Sequence, residues 1–138
     1  MRKLGLDLGN RTLGIALSDD LGFLASGLET FRFEDKDFKS ALDFTLSLLK
    51  QYNIDVIVLG FPKNMDGTLG EQALYSQEFK EEILRNSSVK VVLWDERLTS
   101  RMASNMMKSQ NLSRKKRTKD IDKMAAVIIL QSYLDSQR

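Results

Sequence analysis

The chain is 138 residues long, 42% hydrophobic and 29% charged, a balance that suits one globular domain over residues 1–138 and leaves no length for a second. It contains neither cysteine nor histidine, which excludes disulfide frameworks, thiolate nucleophiles, Cys-rich zinc sites and any mechanism built on an imidazole base. The net charge of +2 conceals an uneven distribution: residues 1–96 carry 11 basic and 16 acidic side chains, whereas residues 97–119 carry eight basic and no acidic ones.

The N-terminus, Met1-Arg2-Lys3-Leu4, runs directly into a predicted strand from Lys3 to Gly9, where a signal peptide would place a longer apolar segment. No stretch approaches the roughly 20 apolar residues that span a bilayer. A cytoplasmic location without a membrane partner is the expectation. Leu13–Asp19 and Leu24–Phe33 read as two further strands. The connections among these three are too short for helical crossovers, so an antiparallel meander is expected. From Asp37 the period changes: Phe38, Ala41, Leu42, Thr45, Leu48, Leu49 and Tyr52 recur at helical spacing to about Asn53. Ile54–Leu59 is a nearly continuous apolar run, as in a central strand covered on both faces.

Gly60 to Gly70 is predicted as a loop, with Pro62 and a helix start near Thr68. A helix then runs to about Arg85, followed by a strand from Val89 to Trp94 and a helix over Thr99–Gln110. In that last helix Met102, Met106 and Met107 read as core. The final helix spans about Asp120 to Ser136 and is apolar nearly all round from Met124 to Leu130, so it should be deeply packed. Three strands followed by alternating helix and strand point to an α/β domain with a five-stranded mixed sheet and helices on both faces.

Three acidic positions stand out. Asp7 lies within an apolar first strand, where an unpaired carboxylate is costly to bury. A bound cation would offset that cost, as would a turn-capping role. Gly5 and Gly9 flank it at period 2 and leave room for a ligand's phosphate. Asp95-Glu96 closes the predicted fifth strand, at the carboxyl end where α/β sheets place ligands. Alternation lets only one of the two enter a given site, and both also suit a helix start. Asp122 shares a helix face with Ala125, Ala126, Ile129 and Tyr133, toward the packed side, whereas Asp120 reads as a first-turn partner of the helix dipole. Three separated carboxylates that converge would hold hard cations such as Mg²⁺ or Mn²⁺, and a pair of ions can clamp a phosphodiester without histidine or cysteine.

The basic segment Arg114-Lys115-Lys116-Arg117-Thr118-Lys119 precedes the Asp122 helix. It reads as a set of phosphate contacts or as a solvated loop. The loop Phe61–Gly70 opens a helix and offers either backbone anion contacts or a plain turn.

The elements Leu6-Asp7-Leu8-Gly9 with Gly14-Ile15-Ala16, Leu59-Gly60-Phe61-Pro62 with Met65-Asp66-Gly67, Asp95-Glu96-Arg97-Leu98-Thr99-Ser100, and Asp122 followed by Ala125–Leu130 occur in this order. In this set the chain resembles the YqgF, or RuvX, family of pre-ribosomal-RNA nucleases, related to the RuvC-type Holliday junction resolvases. The resemblance covers essentially the whole chain and implies a ribonuclease H-like fold with sheet order 3-2-1-4-5. It implies maturation of the 5′ end of the 16S ribosomal RNA precursor, with Asp7, Glu96 and Asp122 as catalytic and metal-binding acids for two Mg²⁺ or Mn²⁺ ions. Arg11, Arg97, Arg114, Lys115, Lys116, Arg117 and Lys119 are the expected nucleic-acid contacts.

The chain departs from the resolvase pattern in one important way: RuvC-type enzymes carry a glutamate on the fourth strand, where this sequence has Gly60. Glu96 would act from the fifth strand instead, with Asp95 and Asp66 as substitutes. Lys123 and Met124 replace the small residues common after the last aspartate, which would narrow access to the site. Alternative readings are a Holliday-junction resolvase, a non-catalytic RNA-binding ribosome assembly factor, and an actin- or hexokinase-like ATPase phosphate loop at Asp7-Leu8-Gly9. The first requires a symmetric dimer, so monomer and homodimer both stay open.

Overall fold

The computed structural model describes residues 1–96 and 114–137, with the backbone alone over 114–121. Its elements are β1 (Arg2–Leu8), β2 (Thr12–Ser18), β3 (Ala25–Arg32), α1 (Phe38–Gln51), β4 (Ile54–Phe61), α2 (Glu71–Asn86), β5 (Lys90–Asp95) and α3 (Arg114–Ser136). The helix expected over Thr99–Gln110, with its methionines and the preceding Arg97, lies outside the described residues.

The strands form one sheet in the order β3-β2-β1-β4-β5. β1 pairs antiparallel with β2 and parallel with β4, and β2–β3 is antiparallel while β4–β5 is parallel. This is the expected ribonuclease H-like arrangement of a meander extended by two helical crossovers.

Strand alternation divides the core in two. Leu4, Leu6 and Leu8 of β1, Leu13, Ile15 and Leu17 of β2, and Ile57 and Leu59 of β4 face one way. They pack against Ala41, Leu42 and Leu48 of α1 and Phe79 and Ile83 of α2. On the opposite face Ala16, Val56 and Val58 meet Ala126, Ile129, Leu130, Tyr133 and Leu134 of α3. The apolar girdle of α3 is consistent with that deep seat: Ala126, Ile129 and Leu130 are fully buried. At the start of α1, Asp37 is the N-cap, its side chain accepting from the Ser40 amide.

Four local expectations change. β4 continues through Gly60 and Phe61, which pair with Trp94 and Asp95 of β5, because the backbone ladder overrides the turn tendency of glycine there. The N-cap of α2 is Gly70 rather than Thr68, since Thr68 is occupied within the loop by Asp66, which accepts from both its amide and its hydroxyl. Gly5 does not leave space for a phosphate: a side chain there would meet Leu130 Cβ at 2.7 Å and the Ala126 carbonyl at 2.9 Å, so its emptiness is filled by α3. Finally, α3 begins at Arg114, six residues before the expected start, so Asp120 is not in its first turn. The basic segment is therefore helical, with its cations at the end where the helix dipole disfavours positive charge.

Candidate active site

Gly14 is the Cα partner of Asp7 across the β1–β2 ladder. Directly opposite residues project to the same face, and on that face α3 lies against β2 so closely that a Cβ on Gly14 would sit 2.1 Å from the Asp122 carbonyl oxygen. The absent side chain thus brings the Asp122 segment of α3 down beside Asp7. Thr12, at the start of β2 on the same face, donates its hydroxyl to Asp122 Oδ2 at 2.9 Å. Residues 110 apart in sequence are fixed together by this bond.

Glu96 arrives from the other side. It follows β5 directly, and its backbone amide bonds the Phe61 carbonyl at 3.1 Å, which holds the turn off the sheet against the end of β4. Its side chain then crosses β4 above Gly60: a Cβ at that glycine would lie 2.6 Å from both Cδ and Oε2 of Glu96. Beyond Gly60 the carboxyl group reaches Asp7, and the two side chains are hydrogen-bonded. Asp95, the neighbouring acid, is exposed, and its charge acts on Glu96. Asp66 is exposed and engaged with Thr68. Glu96 is the acid in hydrogen-bonding contact with Asp7.

Two acids in contact cannot both ionise cheaply. Burial is the largest influence on each. It pushes the Asp7 carboxyl up to about 6; the hydrogen bond with Glu96 opposes this and the charge of Asp122 adds to it. Burial pushes Glu96 up to about 9, reinforced by the charge of Asp7, the hydrogen bond with it and the charge of Asp95. At neutral pH Glu96 therefore carries the proton and donates it to an ionised Asp7. Glu96 is only 7% exposed, while Asp7 keeps a partial opening to solvent.

Every side-chain donor here is a hard oxygen, as Mg²⁺ or Mn²⁺ prefers. Among the described residues no three carboxylates stand close enough to hold an ion as they are, and Asp122 is hydrogen-bonded to Thr12. The Asp7–Glu96 pair fits one hard cation. Asp122, near enough for its charge to act on Asp7, fits as a further ligand once the Thr12 bond is exchanged.

Of the expected nucleic-acid contacts, Arg11 sits just after β1 and lies 3.7 Å from Asp35, both exposed. Arg114, Lys115, Lys116, Arg117 and Lys119 lie on the helical backbone leading into Asp122. Lys123 does not crowd the acids: its stem lies over Gly27 of β3, one strand beyond β2. Sequence reading missed Thr12. The alternation Thr12-Gly14-Ala16 on one face of β2 was the available signal, since it puts a hydroxyl in line with the glycine opposite Asp7.

The strand order, with acids at the ends of β1 and β5 and on the covering helix, defines a resolvase-type ribonuclease H-like protein. Solved structures share this fold: Thermus thermophilus RuvC aligns with TM-score 0.63 at 12% identity, covering 99% of this chain and 96% of that one. Fowlpox virus resolvase, solved with Holliday junction DNA, aligns with TM-score 0.61 at 18% identity over 99% of both chains. The RuvX family model, described as Holliday junction resolvase, matches residues 1–136, and the chain belongs to that family. A relative from Bacillus licheniformis, named "Putative pre-16S rRNA nuclease", is 54% identical over 136 residues, covering 99% of this chain and 98% of its own length. Family membership decides against the ATPase reading.

Proposed function

We propose that residues 1–138 act as one nuclease domain that hydrolyses phosphodiester bonds at the 5′ end of the 16S ribosomal RNA precursor, in the cytoplasm, using Mg²⁺ or Mn²⁺ held by Asp7, Glu96 and Asp122. The observation that carries this reading is the proton-sharing Asp7–Glu96 pair with the Asp122 charge beside it. Such a buried acid cluster costs stability and is relieved by a dication. The name of the 54% identical relative supports the choice of RNA.

When bound, the ions would supply an activated water and charge neutralisation at the leaving oxygen. The chain's own residues prepare that site. Glu96 must release its proton before both acids can act as ligands. Gly60 keeps the path from β5 to Asp7 open. Thr12 keeps Asp122 beside the Asp7 strand through its hydroxyl, and that bond would be exchanged when Asp122 takes an ion. The basic start of α3 leads straight into Asp122, and its cations would contact phosphates without specifying sequence.

A second reading, cleavage of four-way DNA junctions, is favoured by the fowlpox virus enzyme being solved with such a substrate. It requires a homodimer presenting two sites, whereas RNA cleavage is compatible with a monomer. Cleavage of pre-16S rRNA and of a DNA junction, each with Mg²⁺, Mn²⁺ or EDTA, separates the readings. The wild type should cut the RNA only with a dication, and Asp7→Asn should abolish cutting. Cleavage that survives EDTA or Asp7→Asn refutes the carboxylate mechanism. Ribosome maturation that survives Asp7→Asn in cells points instead to a non-catalytic assembly factor.

A further inference from the structure

Arg2, Lys3, Arg11, Lys36, Lys39 and Arg85 are each paired with an acid. Arg32 and Lys123 are not paired with any acid among the described residues, and both stand on the active face of the sheet. Arg32 is the Cα partner of Thr12, so it projects to the same face as the hydroxyl that holds Asp122, one strand further out. It is exposed, at the end of the edge strand β3. Lys123 follows Asp122 on α3 and turns its stem the same way, toward β3.

That turn is made possible by a glycine. A Cβ on Gly27 would lie 2.8, 2.9 and 3.3 Å from Cγ, Cδ and Cε of Lys123. Gly27 is the Cα partner of Ala16 on the α3 face, and its φ is not in the left-handed region. The glycine is therefore not needed for a turn. It makes a groove across the edge strand in which the lysine stem is laid, with less rotamer freedom left to lose on binding. Gly27 and Arg32 are five residues apart on β3, with a shift in the β2–β3 register between them, a span of at most about 16 Å.

We propose that Arg32 and Lys123 form a phosphate track along β3 that leads the nucleic-acid strand away from the acids over the β2–β3 side of the sheet, with Gly27 as the slot that aims Lys123. This rests on the nuclease reading and names the path its substrate takes. The surrounding charge fits a polyanion: the helical segment Arg114–Lys119 enters Asp122 from the same end of α3.

The test is binding of a fluorescent single-stranded RNA from the 16S precursor across a KCl series, in an Asp7→Asn background that prevents cleavage. Each of Arg32→Ala and Lys123→Ala should weaken binding and reduce the slope of log K against log salt by about 0.7. Arg32→Lys should retain the parent slope. Gly27→Ala should reproduce a large part of the Lys123→Ala loss and add nothing further in the double variant. Because the atoms it meets belong to a flexible side chain, its melting temperature should stay at the parent value. Lys50→Ala, on α1 behind the opposite face, should change neither quantity. Unchanged slopes in both Arg32→Ala and Lys123→Ala overturn the track, as does a full additive loss in the Gly27→Ala/Lys123→Ala double. A parent protein that binds no RNA at any salt refutes the nuclease reading itself.

Discussion

Gly14→Ala tests whether the helix that carries Asp122 is seated by the absence of one methyl group. The new Cβ would lie 2.1 Å from the Asp122 carbonyl oxygen, 2.6 Å from its carbon and 3.2 Å from the Lys123 nitrogen. All three are backbone atoms, so no rotamer change relieves them, and α3 must lift by about 1 Å to restore ordinary contact. The helix is held down by the fully buried Ala126, Ile129 and Leu130, so lifting opens that packing too. Overpacking of this kind costs about 1–3 kcal/mol, against which alanine returns about 0.4–1 kcal/mol by restricting the unfolded chain. The net expectation is a loss of about 1–2 kcal/mol in urea denaturation. A shift of about 1 Å in Asp122 relative to Asp7 should also slow single-turnover cleavage by up to about 100-fold. Gly27→Ala is the control for stability, the same change one strand away where a lysine stem yields. Wild-type stability and activity in Gly14→Ala would refute the seating. Lost stability with retained activity would show that Asp122 takes no part in the chemistry.

Glu96→Gln removes a buried acid but keeps a hydrogen-bonding amide, so it should raise the melting temperature at pH 8 by several degrees while abolishing cleavage. A lower melting temperature would contradict the cost assigned to that acid. Both Asp7 and Glu96 titrate higher in the folded chain than when unfolded, so the native state binds more protons between the two values. Stability should therefore fall as pH rises from about 4, through about 6 for Asp7 and on toward about 9 for Glu96. Millimolar Mg²⁺ should raise the melting temperature more at pH 8 than at pH 5; equal shifts at both, or none, would place the ion elsewhere. Gly60→Ala would meet the Glu96 carboxyl at 2.6 Å and Ile129 Cδ1 at 2.8 Å. It should push Glu96 off Asp7, raise the Mg²⁺ concentration needed for cleavage by about tenfold, and leave a folded protein by circular dichroism; an unchanged Mg²⁺ requirement would remove Gly60 from the account. Replacing Arg114, Lys115, Lys116 and Arg117 by alanine should reduce the salt slope of RNA binding by about 3, and an unaltered slope would return the segment to a solvated surface.

The fold was legible because its signals are local and agree with one another. Short connections demanded a meander, a continuous apolar run demanded a central strand, and helical spacing from Phe38 to Tyr52 has no strand interpretation. Asp7 and Asp122 stood out as candidates for a different reason: each is an acid on a face otherwise assigned to the core. Thr12 was not, because a threonine at a strand start is ordinary until its partner 110 residues away is known. Arg32 escaped for the same reason, since an exposed cation on an edge strand is commonplace, and only the β2–β3 register sets it beside Thr12. The glycines were visible but misassigned. A sequence shows that a side chain is missing at Gly5, yet whether the space admits a phosphate or the Leu130 side chain depends on helix packing that no local pattern encodes.

Gly60 shows how a departure from the RuvC-type pattern can carry its own explanation. A fourth-strand glutamate would stand next to Asp7, since β4 is the neighbour of β1 in the sheet. A fifth-strand glutamate is one strand too far unless it reaches across β4, and it can do so only where β4 has no side chain to obstruct it. The two solutions exclude each other. With a glutamate at position 60 its own stem would occupy the space that Cδ and Oε2 of Glu96 now fill, 2.6 Å from the Cβ position. The glycine at the end of β4 is thus the condition under which the acid after β5 can serve Asp7.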